Sequence, residues 1–299
     1  MALGIPDVLV GCWTDDVNAT GVTVILPPSG TLGAIAVRGG APGTREAAAL
    51  GPAGSGVECH GVALCGNSVF GLAAADGVVE WCVEQERGLA LPFAIIPVVG
   101  AAVVFDVRSN DAPRPGAAAG RSACENATAE DPVMGLVGVG RGCTVGKLAG
   151  RDYASRGGQG WAVASSGSVT VGALMAVNAF GDVLDEQGEL LAGSTAPADA
   201  PRFPASSLEE IQAWAVGEAR ANTTIGCLVT NAILDKPGAC RAADLSHTGI
   251  ARAVDPPHTS VDGDALFLLA TQQVEASVDL VADLGAKAVA AAIRAAVRA

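Results

Sequence analysis

The run Ile225-Gly226-Cys227-Leu228-Val229 reads as a strand with no polar face. A half-exposed strand alternates apolar with polar residues, whereas an unbroken apolar run belongs to a sheet covered on both sides. Ala265-Leu266-Phe267-Leu268-Leu269 repeats the pattern immediately after an Asp262-Gly263-Asp264 turn. Covering such strands takes close contact. The chain supplies it with 39 glycines and many Ala and Val residues, while aromatics make up only 4%. The expected class is therefore layered, α/β or α+β, with buried sheets under helices.

The rest of the chain fits around those strands. Val22–Leu26 reads as a strand stopped by Pro27-Pro28, with Gly33–Val37 as its partner and the glycine-rich Arg38–Gly43 after it. Val69–Val83 carries apolar residues at helical spacing, and Val98–Val107 is strand-like. Ser109–Asp131 loses its apolar pattern and reads as a long surface connection. Val163–Val177 has strand alternation, and Glu186–Ser206 is polar. Ser207-Leu208-Glu209-Glu210 matches a capping box that would open a helix to about Ala219. Pro237 could start a helix through Ala251, and Gln272–Ala299 reads as a long helix ending in basic Arg294 and Arg298. There are no internal repeats.

Several function classes are disfavoured. A formal net charge of −13 would repel a phosphate backbone, so nucleic acid is not an expected partner. The longest apolar run, Leu89–Phe105, contains Pro92, Pro97 and Gly100 and is short for a membrane span. Eight cysteines without a Cys-x-x-Cys pair read as small buried hydrophobes in a reducing cytoplasm, and the start of the chain lacks a signal peptide's basic region. His60, His247 and His258 are scattered without metal-ligand spacing, so no metal is expected. Gly138–Lys147 superficially suggests a phosphate loop, but Leu148 stands where Ser or Thr would follow the lysine. No Gly-x-Ser-x-Gly is present. Cys143 and Cys227 sit in interior-like runs where a thiol is inert. No cofactor is called for.

What stands out chemically is the Asn222-Thr223 bond at the start of the buried strand. A break there would give Thr223 a free α-amine, whose reference pKa of about 7.7–8.0 lets it act as a built-in base for the hydroxyl beside it. Asn-Thr is equally a common turn pair. Such a site also needs an oxyanion donor and orienting charges. Lys147 lies in an apolar, glycine-rich stretch and must be exposed at a turn or paired. Asp262 and Asp264 share one side of an extended chain, or else form a solvated turn. Asn178 ends a buried strand, where it suits an oxyanion donor or simply a turn.

These segments, taken together, resemble the DmpA-type L-aminopeptidase/D-esterase family, which includes the nylon-oligomer hydrolases. The resemblance rests on Gly21–Ile25, Val37–Glu46, Ser68–Gly77, Gly142–Lys147, Val177–Asp182, Asn222–Ile225 and Val261–Asp264. These occur in the family's order and span nearly the whole chain. Asn67-Ser68-Val69 departs from the family's Gly-Ser-Ala, and Cys65, Cys143 and Cys227 replace ordinary small residues. The resemblance implies one composite domain, a four-layer αββα sandwich of the N-terminal-nucleophile, DmpA/ArgJ-like type. It further implies self-cleavage into residues 1–222 and 223–299, with Thr223 as nucleophile, Lys147 and Asn178 completing the site, and Asp262 and Asp264 anchoring its charges. The expected activity is hydrolysis of short peptides or peptide-like amides. The expected assembly is a homo-oligomer of processed heterodimers, tetrameric or larger. An ornithine-type acetyltransferase and an uncleaved binding relative are the alternatives. Deacylation by an amine, or an intact and inactive chain, would distinguish them.

Overall fold

A computed structural model describes residues 1–55, 58–200 and 222–299. The helix expected at 207–219 lies outside the described residues. Among the described residues ten strands form two five-stranded sheets. The first contains β1 (Leu9–Asp15), β2 (Thr20–Leu26), β4 (Thr44–Arg45), β5 (Gly61–Cys65) and β6 (Val99–Val103), in the order β1-β2-β5-β6-β4. The second contains β3 (Leu32–Val37), β7 (Gly158–Ser166), β8 (Val169–Asn178), β9 (Thr223–Ile233) and β10 (Ala265–Glu275), in the order β7-β8-β9-β10-β3. The pairs β5–β6 and β9–β10 are parallel, and the others are antiparallel.

Period-two alternation sends each strand's side chains into two different cores. Ile225, Cys227 and Val229 of β9 meet Leu174, Phe267, Val62 and Leu64 between the sheets. Leu228, with Met175, Leu266 and Leu268, points the other way, toward α3 (Lys236–Ser246) and α4 (Val278–Arg298). On the far side, Val22, Val24, Ala63 and Val99 pack against α1 (Ala74–Glu84) and α2 (Ala117–Glu125). The result is helix, sheet, sheet, helix, and it explains why the central strands show no polar face. Both sheets are buried twice over.

Four local expectations are corrected. Gly33–Val37 does not pair with Val22–Leu26: it crosses to the second sheet and lies antiparallel to β10. Two strands apolar on both faces carry no local mark of their partner. Ser109–Asp131 is not all connection, because it contains α2, whose buried contacts are Ala119, Gly120, Ala123 and Cys124. These are too small to make an apolar stripe, but they allow backbones to touch: a Cβ on Gly120 would lie 1.9 Å from the Ala74 carbonyl. Val163–Val177 spans a hairpin turning at Gly167. Finally, the C-terminal helix starts at Val278, capped by the Ser277 hydroxyl, because β10 continues to Glu275. Among the described residues no helix is long and apolar enough to cross a membrane.

Candidate active site

β8 and β9 put two of the expected residues opposite one another. Their register pairs Asn178 directly with Thr223, and opposed residues of antiparallel strands project to the same face. Thr223 is buried, and its hydroxyl donates to the carbonyl oxygen of Asn222. The same carbonyl accepts the Gly263 N–H at 3.3 Å. With the Asn222–Thr223 bond intact, the peptide carbonyl therefore has the hydroxyl on one side and a backbone donor on the other.

Lys147 reaches this place from the segment after the glycine-rich turn, where Gly146 takes φ 72° and the Lys147 N–H bonds to Phe180 O. The side chain is 3% exposed, and Nζ donates to Asn178 O and Oδ1, each at 2.9 Å. Asn178 Oδ1 also accepts the Thr144 N–H at 3.0 Å, while its Nδ2 donates to Phe105 O at 3.1 Å. One Asn178 Nδ2 hydrogen is thus engaged by Phe105 O, and the Gly263 N–H is a donor on the Asn222 carbonyl. Burial pushes the Lys147 ammonium down to about 7, against the opposing pull of charges that include Asp262. A lysine so placed is substantially neutral near pH 7 and can take a proton.

Asp262 and Asp264 are both buried. Asp262 Oδ2 accepts the Thr259 N–H at 2.9 Å and its hydroxyl at 2.5 Å. Burial first, and the neighbouring Asp264 charge second, raise the Asp262 carboxyl to about 6. Asp264 Oδ1 accepts the Thr224 N–H at 2.6 Å, which fixes the backbone next to the candidate nucleophile. Its Oδ2 receives the His258 N–H at 3.2 Å and lies 2.7 Å from His258 Nδ1. The solvated-turn alternative for this pair is therefore set aside.

The loop after β3 clasps the carboxylate turn. Arg38 and Gly39 N–H groups donate to Asp264 O, and Ala41 N–H to Asp262 O, at 2.8–3.1 Å. A Cβ on Gly39 would stand 2.2 Å from the Asp264 nitrogen, so this close approach requires glycine there. A pocket of about 220 Å³ opens beside Thr223, with Ala41, Pro42 and Gly43 on one wall, Ser68 and Val69 on another, and Val103, Phe105 and Val261 completing it.

Two members of this cluster carry no signal in the sequence. Gly263 contributes a backbone N–H, which no residue-type pattern marks. His258 meets Asp264 only because the chain folds back between them. Among the described residues no group of three His, Cys, Asp or Glu side chains could hold a metal ion. Seven of the eight cysteines are buried, and burial raises the thiols of both Cys143 and Cys227.

Comparison with known proteins agrees with this architecture. An uncharacterised aminopeptidase of Mycobacterium tuberculosis is 43% identical over 265 residues, covering 86% of this chain and 74% of that protein. The 6-aminohexanoate-oligomer endohydrolase of Paenarthrobacter ureafaciens is 31% identical over 275 residues, covering 90% and 74%. A Burkholderia sp. β-aminopeptidase superposes with a TM-score of 0.71 at 20% identity, over 98% of this chain and 85% of that one. The L-aminopeptidase D-Ala-esterase/amidase of Ochrobactrum anthropi, a variant of the Ntn hydrolase fold, gives 0.71 at 19% identity, over 98% and 84%. The αββα sandwich is thus the fold of N-terminal-nucleophile hydrolases. The Peptidase family S58 profile matches residues 3–299, and the chain belongs to that family of peptide hydrolases.

Proposed function

We propose that the protein is a self-processing threonine hydrolase that cleaves short peptides or peptide-like amides through an acyl-enzyme on Thr223. The observation that carries this reading is the Thr223 hydroxyl set against the Asn222 carbonyl, with the Gly263 N–H on the same oxygen. In the precursor, Oγ1 adds to the Asn222 carbonyl carbon and neutral Lys147 takes the hydroxyl proton. The oxyanion is held by Gly263 N–H, and Asn178 keeps Lys147 in place. The C–N bond breaks as the Thr223 nitrogen gains a proton, leaving an ester between Asn222 and Oγ1. Water hydrolyses that ester, releasing the Asn222 carboxylate and the free Thr223 amine.

In the mature enzyme that amine, assisted by Lys147, activates Oγ1 against a substrate amide. The amine product leaves, and water hydrolyses the acyl-enzyme. Asp264, through Thr224 N–H, holds the nucleophile's backbone while its neighbours are cut and released. The division into residues 1–222 and 223–299, and an oligomer of such processed pairs, belong to the same proposal. The names of the similar proteins support amides of α-, β- or ω-amino acids as substrates. Purified protein is expected to release p-nitroaniline from L-alanyl- or 6-aminohexanoyl-p-nitroanilide, with residues 1–222 and 223–299 as separate chains. Uncleaved protein that releases none would contradict the proposal. Transfer of the acyl group to an added amine in preference to water would favour the acyltransferase alternative.

A further inference from the structure

Two successive residues, the second at the wall of the Thr223 pocket, have left-handed backbones, Asn67 at φ 66° and Ser68 at φ 54°. Asparagine enters that region comparatively easily. Serine does so seldom, and a strained residue persists only where its surroundings enforce it. Here Asp106 is part of the enforcement. Its buried carboxylate follows Phe105 in the chain and accepts the Asn67 N–H. The Ser68 N–H is tied to Val104 O at 2.9 Å. Gly66 makes the approach possible, since a Cβ there would lie 2.6 Å from Asp106 Oδ2. The segment therefore holds Ser68 at the pocket in an enforced conformation. Its hydroxyl has no hydrogen-bond partner among the described residues. Val69, Val103, Phe105 and Val261 give the pocket its apolar side chains, and besides Ser68 only Asn222 and Thr223 line it with polar ones. A pocket orients its ligand through a few placed polar groups.

We propose that Ser68 contacts the substrate, its hydroxyl hydrogen-bonding the amide presented to Thr223 and fixing it for attack. This role rests on Thr223 being the nucleophile. Self-cleavage does not draw on it, because the chain itself delivers the scissile bond and the Asn222 oxygen is served by Thr223 Oγ1 and Gly263 N–H.

Ser68→Gly is the informative variant, since glycine adopts φ 54° without strain and keeps the local fold. It is expected to self-cleave completely, to melt at or above the wild-type temperature, and to be acylated by p-nitrophenyl acetate at the wild-type rate. Its kcat/KM for L-alanyl- and 6-aminohexanoyl-p-nitroanilide should fall about tenfold, the scale of one lost hydrogen bond. Ser68→Ala should show the same loss of kcat/KM. Unchanged kcat/KM in both variants overturns the proposal. So does a parallel fall in self-cleavage and turnover, which would make Ser68 a structural residue only. Wild-type protein inert to both anilides overturns the threonine-hydrolase reading and this role with it, whereas an active wild type with unaffected variants overturns this role alone.

Discussion

Thr223→Ala is expected to give a single uncut chain with no amide hydrolysis. The substitution removes the atom that both reactions share. It also leaves a clean comparison, because the methyl-sized side chain fits a buried strand position without polar groups to satisfy. Deleting the nucleophile of a hydrolytic site reduces turnover by a factor on the order of 10⁶, so residual activity should be undetectable. Thr223→Ser separates the contributions further. It keeps the hydroxyl and should still process, which shows that the loss in the alanine variant comes from Oγ1 and not from disturbed packing. Intact mass reports processing and anilide turnover reports catalysis. An alanine variant that still divides after Asn222 would remove Thr223 from the self-cleavage step.

The second large effect is at Lys147. Loss of a positioned general base costs about 10²–10⁴-fold, and Lys147→Ala should slow self-cleavage by that order. Lys147→Arg is more discriminating. Arginine keeps the positive charge but cannot become neutral at any ordinary pH, so it should fail as a base. The pH dependence has a definite sign. In the proposed step the reactive form of Lys147 is the neutral amine, and burial brings its pKa to about 7. Precursor held at pH 5 carries protonated Lys147 and should process slowly. The rate should rise about tenfold per pH unit on stepping upward and level off above about 7. Over the same range the Asp262 carboxyl ionises near 6, which favours the charged lysine and holds the rise toward the upper part of the window. A processing rate flat between pH 5 and 8, or an arginine variant at the wild-type rate, would contradict this role.

The two-sided burial of the central strands was legible because an unbroken apolar run such as Ile225–Val229 has no other stable home. The site was legible differently. Lys147 in an apolar stretch and Asn178 at a strand end stood out as polar residues in interior sequence, but only the family resemblance joined them to Thr223. What escaped has a physical reason in each case. α2 buries Ala and Gly, which leave no hydrophobic stripe. The crossing of β3 to the second sheet is decided by packing against β10, 228 residues away at the Val37–Ala265 pair. The donor on the Asn222 carbonyl is a backbone N–H, and His258 joins Asp264 through a fold-back that residue spacing does not encode. The apparent phosphate loop at Gly138–Lys147 is instead a short 3-10 turn (Gly138–Gly142) followed by a two-residue strand (Thr144–Val145), with Lys147 just beyond it bonded to Asn178.

Asn178 accepts from Lys147 with its side-chain oxygen and donates one Nδ2 hydrogen to Phe105 O. A carboxamide nitrogen carries two hydrogens, so orienting the base is compatible with the oxyanion role expected of this residue. A loss at Asn178 is therefore expected to carry the pH signature of a displaced lysine.

The Asn222–Thr223 bond is expected to be cut by the protein itself to make the catalyst. Intact mass, with N-terminal sequencing of the smaller chain, tests it most directly on wild-type protein purified and incubated at pH 8. Two chains are expected, residues 1–222 and residues 223–299, the second beginning Thr-Thr-Ile-Gly-Cys. A single chain of the full 29.5 kDa that persists while the amide-hydrolysing activity is present would contradict it.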